Sequence, residues 1–248
     1  MRFLIEPVQT WNIYQGVCFT IFTVGLLQGL GTIVFFIWGQ NSQLSSAQNK
    51  SHDNWDWIYI NFNKAFTVIF NHFLMRYCWD SGDVSWEQIT FANTLLVAFP
   101  LLLLSDDLMY YCWHRALHVG PLYKYIHKHH HRSITPFRGA DDAVNAHPIE
   151  YIVTALFIPS SVAFVSRVAL PPHVITVALF TTINALLSHA NHTRLNVRWL
   201  VGGYELYASR NHDTHHHLGA KGGNYAQLVS SWDHLCGTFV PWTITHQD

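Results

Sequence analysis

The sequence predicts an all-α integral membrane protein, a bundle of about four spans with a cytosolic, histidine-rich helical cap that holds two metal ions. Three observations lead to this fold class. Half of the 248 residues are hydrophobic and 12% are charged, which is about half of the roughly 25% charged content usual in soluble domains. Long uncharged runs alternate with polar segments along the chain. Most of the 18 histidines lie in clusters after residue 110.

Charge and cysteine content exclude several functional classes. The net charge of -1 offers no electrostatic attraction for nucleic acid, so we expect no nucleic-acid partner. The four cysteines are scattered and form no Cys-x-x-Cys pair. The sequence therefore predicts neither a disulfide framework nor a zinc finger, and any metal ligands are expected to be mostly imidazole nitrogens.

The N-terminal part is predicted to contain one uncleaved span. Residues Gly16–Trp38 are apolar, long enough to cross a hydrocarbon core of about 30 Å, and lack a small-residue cleavage site. Residues 39–57 are polar and are predicted to form an interfacial loop, in which Asn49 begins a glycosylation acceptor sequence. Residues 58–76 mix aromatic and polar side chains, which favours an interfacial or partly buried helix. If 58–76 crossed the membrane instead, the N-terminus would lie on the outer side.

The second half is predicted to contribute the remaining spans. The run Gln88–Ser105 is uncharged and continues through Asp107 into His114. The apolar runs Ile149–Ser166 and Val174–Ser188 are separated by two prolines and are expected to form a helical hairpin. Basic residues are frequent between positions 114 and 147, which places this segment in the cytosol by the positive-inside rule. The helical hairpin returns the later histidines to the same side.

The spacing of the histidines predicts convergent imidazoles. Residues three or four apart share one face of a helix, as do His114 and His118. The pattern H-x-x-H-H occurs twice, at 127–131 and 212–216. Each cluster can direct two or three imidazoles at one point, and imidazole is the commonest side-chain metal ligand. Eight or nine such histidines are too many for one ion, which predicts two.

The histidines also allow less specific interpretations than a built metal site. A histidine-rich tract can be a loose metal sink or a tag, but these clusters are dispersed through the chain and repeat one spacing. A pair such as His189 and His192, taken alone, is more often ordinary surface chemistry. The repeated clusters together favour a built metal site.

The order of these motifs resembles the fatty acid hydroxylase/sterol desaturase superfamily of membrane di-iron enzymes. The resemblance extends from about residue 90 to the end of the chain, and the combination of motifs is highly specific. The matching segments are Asp107…Tyr111-x-x-His114-x-x-x-His118, His127-x-x-His130-His131, His147-Pro-Ile-Glu150, His189-Ala-Asn191, His212-x-x-His215-His216, Asn224-Tyr225 and Trp232-Asp233-x-x-x-Gly237-Thr238.

The resemblance implies a site for two irons that activate O2. The implied ligands are His114, His118, His127, His130, His131, His189, His212, His215 and His216. Three further histidines leave the ligand set open, because they flank these positions: His129, His192 and His217. Metal-bound histidines need acceptors that orient their rings, and the candidate carboxylates are Asp107, Glu150, Asp213 and Asp233.

The predicted function is therefore O2-dependent hydroxylation or desaturation of a membrane lipid, with a sterol or a long-chain or sphingoid lipid as the expected substrate. The resemblance implies electrons from NAD(P)H, delivered through a reductase and a separate cytochrome b5 or similar carrier. The chain is expected to form a single domain over 1–248, with an N-terminal span and lumenal or interfacial segment in 1–88 and the catalytic region in 89–248. The endoplasmic reticulum is the expected location, with the catalytic face in the cytosol.

A metal transporter or metal-binding membrane protein is the alternative from another class. A transport relay would distribute its ligands along the spans. The histidine clusters fall instead at the ends of the predicted spans and in the cap, which favours the enzyme.

Overall fold

A computed structural model describes residues 51–87, 89–134, 140–193 and 195–242. The predicted first span, 16–38, and the acceptor sequence at Asn49 lie outside these residues. The helices are α1 (Asn54–Asp80), α2 (Ala98–Leu117), α3 (Gly120–Tyr125), α4 (Pro148–Ala155), α5 (Phe157–Val168), α6 (Val174–Asn191), α7 (Ser209–Leu218) and α8 (Ser231–Leu235). Short helical turns cover Ala92–Leu96, His127–Arg132, Ala140–Val144 and Gly219–Lys221. The strands β1 (Arg198–Val201) and β2 (Tyr204–Ala208) form an antiparallel hairpin, which the all-α prediction did not include.

Three helical stretches of the described part are long and apolar enough to cross a membrane. They are Ala92–Leu117, Pro148–Val168 and Val174–Asn191, and they correspond to the three spans that the second half of the sequence predicts. The stretch Pro148–Val168 comprises α4 and α5, which are separated only by Leu156. These stretches place the histidine clusters of α2 and α6 at span ends.

Helix α1 begins earlier than predicted. The loop was expected to continue to residue 57, but a capping box starts the helix at Asn54, with the Asp53 side chain accepting from the Asp56 amide and the reverse bond also present. Such reciprocal bonds satisfy backbone donors that a helix start leaves open. This helix is not among the three candidate spans of the described residues, and its interfacial position stays a prediction.

Helix α1 is attached to the segment that precedes α4. The buried Asn63 donates from Nδ2 to the carbonyl oxygens of Val144 and Ala146, both at 2.8 Å. The buried Asp56 accepts from Asn145 Nδ2 at 3.0 Å. These bonds fix the backbone around Asn145, whose carbonyl oxygen faces the histidines.

The spans are joined by a shared apolar core and by polar contacts. Helix α2 packs against α5 and α6, and the fully buried side chains at this junction include Leu102, Val162 and Phe180. Asn184 of α6 donates to Asp106 of α2 at 2.9 Å. This bond sets the relative height of the two spans, because it joins α2 at the point where its uncharged run ends.

Candidate metal centre

The structure brings nine histidines into two groups. The first consists of His114, His118, His127, His131 and His215, and the second of His130, His192, His212 and His216. Within each group the candidate ligand nitrogens all lie within 4.8 Å of one another, and every member except the half-buried His118 is buried. We call these the five-histidine group and the four-histidine group.

Local helix geometry distributes the histidines between the groups. The last turn of α2 places His114 one turn before His118, the residue that caps the helix. The 3-10 turn His127–Arg132 contributes His127 and His131 to the five-histidine group and His130 to the four-histidine group. Helix α7 likewise divides its histidines, since His215 joins the five-histidine group.

Acceptors outside the groups determine which ring nitrogen faces inward. Six of the histidines place Nδ1 within hydrogen-bond distance of a carbonyl or carboxylate oxygen, and such oxygens only accept. Nδ1 must therefore carry the proton in these rings, which leaves the lone pair on Nε2. The pairs are His114 with Tyr225 O (2.7 Å), His127 with Glu150 Oε1 (2.9 Å), His130 with Asn145 O (3.3 Å), His192 with Ser188 O (2.9 Å), His215 with Gly223 O (2.6 Å) and His216 with Ser133 O (2.9 Å).

The inward nitrogens fit a cation in each group. Nε2 of His114 and Nε2 of His127 are 3.1 Å apart, and Nε2 of His130 and Nε2 of His192 are 3.2 Å apart. Since all four atoms carry lone pairs, no hydrogen bond relieves their repulsion, whereas a shared cation would. Two nitrogens bound at right angles, each about 2.1 Å from one ion, would be about 3 Å apart. Among the described residues, His215 Nε2 is also buried without a hydrogen-bond partner.

Burial keeps the imidazoles neutral. Desolvation lowers the pKa of His127 to about 3, and desolvation followed by repulsion from neighbouring imidazoles lowers the pKa of His118 to about 3. The same causes lower the pKa of His130 to about 3 and, against a stabilising bond to Ser188, the pKa of His192 to about 4. The pKa values of four further members are also lowered, with desolvation as the main cause: His131, His212, His215 and His216. Only a neutral imidazole can ligate a metal, so these rings are available as ligands near neutral pH.

One predicted ligand, His189, lies outside both groups, and His192 lies inside one of them. His189 donates from Nδ1 to the carbonyl oxygen of Ala185 at 2.7 Å and lies outside both groups. His192, which caps the end of α6, has its Nε2 3.2 Å from Nε2 of His130 and 3.1 Å from Nε2 of His212. The two histidines are three residues apart on one helix, and it is the end of α6 that brings His192 into the group while His189 faces the carbonyl oxygen of Ala185.

The other two ambiguous histidines also lie outside the groups. His129 Nε2 is 3.0 Å from Asn145 Oδ1 and 3.1 Å from Asp56 Oδ1, so it contributes to the contact with α1. His217 is exposed near the end of α7.

The four candidate carboxylates take different positions. Glu150 accepts directly from a group member, His127, as described above. Asp107 accepts from the backbone amides of Gln227, Leu228 and Val229 at 3.0, 2.8 and 2.9 Å. It therefore holds a loop rather than an imidazole ring.

Asp233 acts on the same loop as Asp107. It accepts from the amides of Tyr225 and Ala226 at 2.8 and 2.9 Å and from Thr238 Oγ1 at 2.7 Å. The carbonyl oxygen of Tyr225 in turn accepts from His114, so Asp233 positions that histidine indirectly. Asp213 is buried on α7, and its orienting role stays a prediction.

Comparison with known proteins decides the family. The model of the family described as fatty acid hydroxylase matches residues 99–238, a range that contains both histidine groups. This chain belongs to the fatty acid hydroxylase family. The membership confirms the resemblance that the sequence motifs indicated, and the family is iron-dependent.

Curated relatives of this chain act on different lipids by name. Methylsterol monooxygenase 1 of Gallus gallus is 33% identical over 69% of the chain and 59% of its own length. Sphinganine C4-monooxygenase 2 of Arabidopsis thaliana is 30% identical over 71% of the chain and 67% of its own length. Fatty acid hydroxylase ahd1 of Mycosarcoma maydis is 30% identical over 66% of the chain and 40% of its own length. The chain spans about half the length of the first curated relatives it matches, and no solved structure matches it.

Several residues that position the site have no side-chain signature. Five of the six Nδ1 acceptors are backbone carbonyl oxygens, those of Ser133, Asn145, Ser188, Gly223 and Tyr225. Tyr225 places its ring 5.2 Å from that of His118, measured between centroids. Its place in the Asn224-Tyr225 motif was the available signal, although the motif did not indicate that the carbonyl oxygen would be the acceptor.

Replacing Gly222 with alanine is expected to displace Tyr225 and weaken the five-histidine group. Gly222 has φ +68°, and a Cβ there would overlap the Tyr225 hydroxyl. Gly237 is a control with a similar φ of +67°, and nothing lies within 4 Å of the position of its Cβ. Each substitution carries roughly 1–3 kcal/mol of backbone strain, and Gly222→Ala adds the overlap with Tyr225, so we expect a larger loss of Tm and of bound iron for Gly222→Ala. Equal losses in thermal unfolding and metal analysis would contradict the role assigned to this contact.

Glu150→Ala is expected to lower iron affinity by about 10- to 100-fold, the usual cost of losing an acceptor behind a metal-bound histidine. Glu150→Gln keeps an acceptor oxygen for His127 Nδ1, so the loss of iron affinity should be much smaller. Competition with a graded series of iron chelators measures both variants. If the two lost affinity equally, the acceptor oxygen would not be what positions His127.

Proposed function

We propose that this protein is a membrane-bound di-iron oxygenase that hydroxylates or desaturates a lipid, with a sterol or a long-chain or sphingoid lipid as substrate. The observation that carries the proposal is the pair of buried histidine groups, whose inward lone pairs repel one another unless cations are bound. The five-histidine group would hold one iron and the four-histidine group the other. When bound, two irons would activate O2 for oxidation of an unreactive C–H bond, chemistry that belongs to the cofactor.

The protein's own residues have three tasks in this proposal. The acceptors behind the rings keep the Nδ1 protons in place and orient the Nε2 lone pairs inward. Burial excludes water, which would otherwise compete with the imidazoles for the metal ions and with the substrate for the oxidant. The apolar helices carry the groups at their ends, which supports a substrate that arrives from the bilayer. His192, in place of His189, completes the proposed ligand set.

The substrate, the electron donor and the location are parts of the same proposal. The names of the relatives support sterols, sphingoid bases and fatty acids as substrate classes. The proposed electron source is NAD(P)H through a reductase and a separate cytochrome b5 or similar carrier. The proposed membrane is the endoplasmic reticulum, with the histidines on the cytosolic side.

The nine histidines lie together and not along the spans, which supports the enzyme over a metal transporter. Neighbouring rings of the two groups, such as those of His131 and His216, have centroids 4.8 Å apart. A relay across a membrane would need sites separated over much of a hydrocarbon core of about 30 Å.

Metal analysis combined with isotope-labelled oxygen tests the proposal. Detergent-purified protein should contain about two irons per chain, and cells that express it under 18O2 should accumulate a modified lipid. Hydroxylation places the heavy isotope in the product, whereas desaturation removes two hydrogens without it. His215→Ala should lose the product and bound iron, and His52→Ala should keep both. A product from His215→Ala would contradict the ligand assignment, and zinc binding without oxygen uptake after iron reconstitution would favour a metal-binding protein.

A further inference from the structure

The β-hairpin ends in an exposed apolar tip, Trp199–Tyr204, which we call the hairpin tip. The exposed fractions are 37% for Trp199, 58% for Leu200, 63% for Val201 and 43% for Tyr204. Successive side chains of a strand point to opposite faces, and both faces of this tip carry exposed apolar side chains, although the Tyr204 ring also lies 5.9 Å from that of His234 beside it. Residues 202 and 203 are glycines with φ of 58° and 84°, the positive values that a tight hairpin turn requires.

A chain of hydrogen bonds fixes the height of the hairpin relative to α2. Asp107 lies directly after the uncharged run of α2 and accepts from the amide of Val229. The next residue, Ser230, donates from its amide to Leu206 O at 3.1 Å and from Oγ to Glu205 O at 2.8 Å. The base of the hairpin therefore lies beside the second half of the candidate span Ala92–Leu117, just after the uncharged run of α2 ends.

Hydrogen bonds to helix α6 indicate the same height for the base of the hairpin, independently of those to α2. Tyr207 of β2 donates to Leu187 O at 3.2 Å and to Asn191 Oδ1 at 2.9 Å, both within the last turns of this candidate span. Asn184, one turn earlier, is the residue bonded to Asp106 of α2. Two spans thus place the hairpin base at the end of their apolar segments, where a bilayer surface would lie.

The residues at this height suit a bilayer surface. Tryptophan and tyrosine concentrate at the boundary between headgroups and acyl chains. Glu205 accepts from Arg198 and Arg210, each at 2.7 Å, which leaves a net positive charge at the base, next to where lipid phosphates would lie. Full insertion is excluded, because the outer edges of a two-stranded hairpin carry unpaired backbone groups that hydrocarbon cannot satisfy.

We propose that the hairpin tip inserts into the headgroup–acyl boundary of the leaflet on the histidine side, so that the protein contacts phospholipid through this element in addition to its spans. The tip then acts as an interfacial anchor that fixes the height of the histidine groups above the bilayer. This inference rests on the position of the spans and does not depend on the proposed oxidation chemistry.

Site-directed fluorescence in phosphatidylcholine nanodiscs tests the insertion. A polarity-sensitive dye is attached to Val201→Cys in a full-length chain whose four native cysteines are replaced by serine or alanine. Val119→Cys is the matched control, because Val119 is 62% exposed against 63% for Val201 and lies beyond the end of α2. Leu96→Cys, 71% exposed within the first described span, is the reference for a lipid-facing position. The metal content of each labelled protein checks that it has folded.

Two quenchers give distinct outcomes. We expect lipids spin-labelled near the headgroup to quench the dye at Val201 several-fold more than at Val119, and aqueous iodide to show the reverse order. Quenching of Val201 by iodide to the extent seen at Val119 would place the tip in water and overturn the proposal. Protection from both quenchers would also overturn it, because the tip would then be covered by protein.

Discussion

His192→Ala is expected to abolish turnover and to remove one of two bound metals, whereas His189→Ala should leave both turnover and metal content close to those of the parent protein. The two residues lie on the same helix, three positions apart. His192 belongs to the buried four-histidine group, and its Nε2 lies close to two other ligand nitrogens. His189 is outside both groups and is only partly buried.

The size of the effect follows from the number of ligands that remain. Removing His192 would leave three imidazoles in its group and open a gap beside His130 and His212. Losing an acceptor behind a ligand already costs about 10- to 100-fold in affinity, so the loss of the ligand itself should exceed that range. Iron per chain after gel filtration and product formation by expressing cells measure the two variants in parallel.

The opposite outcome would be equally informative. If His189→Ala lost metal and His192→Ala kept it, the ligand set implied by the family resemblance would be correct, and the geometry at the end of α6 would be wrong. Loss of metal in both variants accompanied by a lower Tm would indicate damage to the end of α6, so thermal unfolding is recorded for each.

The spans were the most predictable part of the molecule. Uncharged runs such as Gln88–Ser105 and Val174–Ser188 are long enough to identify without any structure, because burying charge in a bilayer is costly. Their ends were less predictable. The capping box at Asp53 and Asp56 moved the start of α1 ahead of its apolar residues, since capping depends on two side chains and not on hydropathy.

The histidine clusters were predictable as metal-binding candidates, but their division into two groups was not. Helical spacing groups His127 with His130 and His131, yet His130 belongs to the other group. A 3-10 turn keeps residues three apart on one face, so the backbone does not separate these two rings. Their acceptors differ, because Nδ1 of His127 faces Glu150 and Nδ1 of His130 faces the carbonyl oxygen of Asn145, and no residue in the cluster signals this. The acceptors behind the rings were mostly missed for a related reason, because a backbone carbonyl can belong to any residue.

The β-hairpin had a local signal that hydropathy concealed. Two short runs rich in aromatic and branched residues flank Gly202 and Gly203, a pattern typical of a tight hairpin. Hydropathy alone does not reveal the hairpin, because charged residues such as Arg198 and Arg210 are interspersed in this segment. The exposure of its apolar residues is explained by the hydrogen bonds to α2 and α6, because these bonds place the base of the hairpin near the span ends.

Asp107→Ala is expected to produce the largest loss of stability of any single carboxylate substitution outside the histidine groups. The side chain is fully buried and accepts three backbone amides, which alanine would leave without a partner. Each buried, unsatisfied donor costs about 1–3 kcal/mol, so a total loss of about 3 kcal/mol or more is expected. The released loop carries Tyr225, whose carbonyl oxygen orients His114, so bound iron should fall as well.

The neighbouring Asp106 provides the control. It is also buried, at 4% exposure, but its described bond is a single one from Asn184. Asp106→Ala removes a buried carboxylate together with one hydrogen bond, so its cost should be well below that of Asp107→Ala. Asp107→Asn should fall between them, because one carbonyl oxygen remains to accept. Thermal unfolding in one detergent, with iron content measured on the same samples, ranks the three variants. If Asp106→Ala were as damaging as Asp107→Ala, stability would depend on the contact between α2 and α6, and the loop held by Asp107 would be secondary.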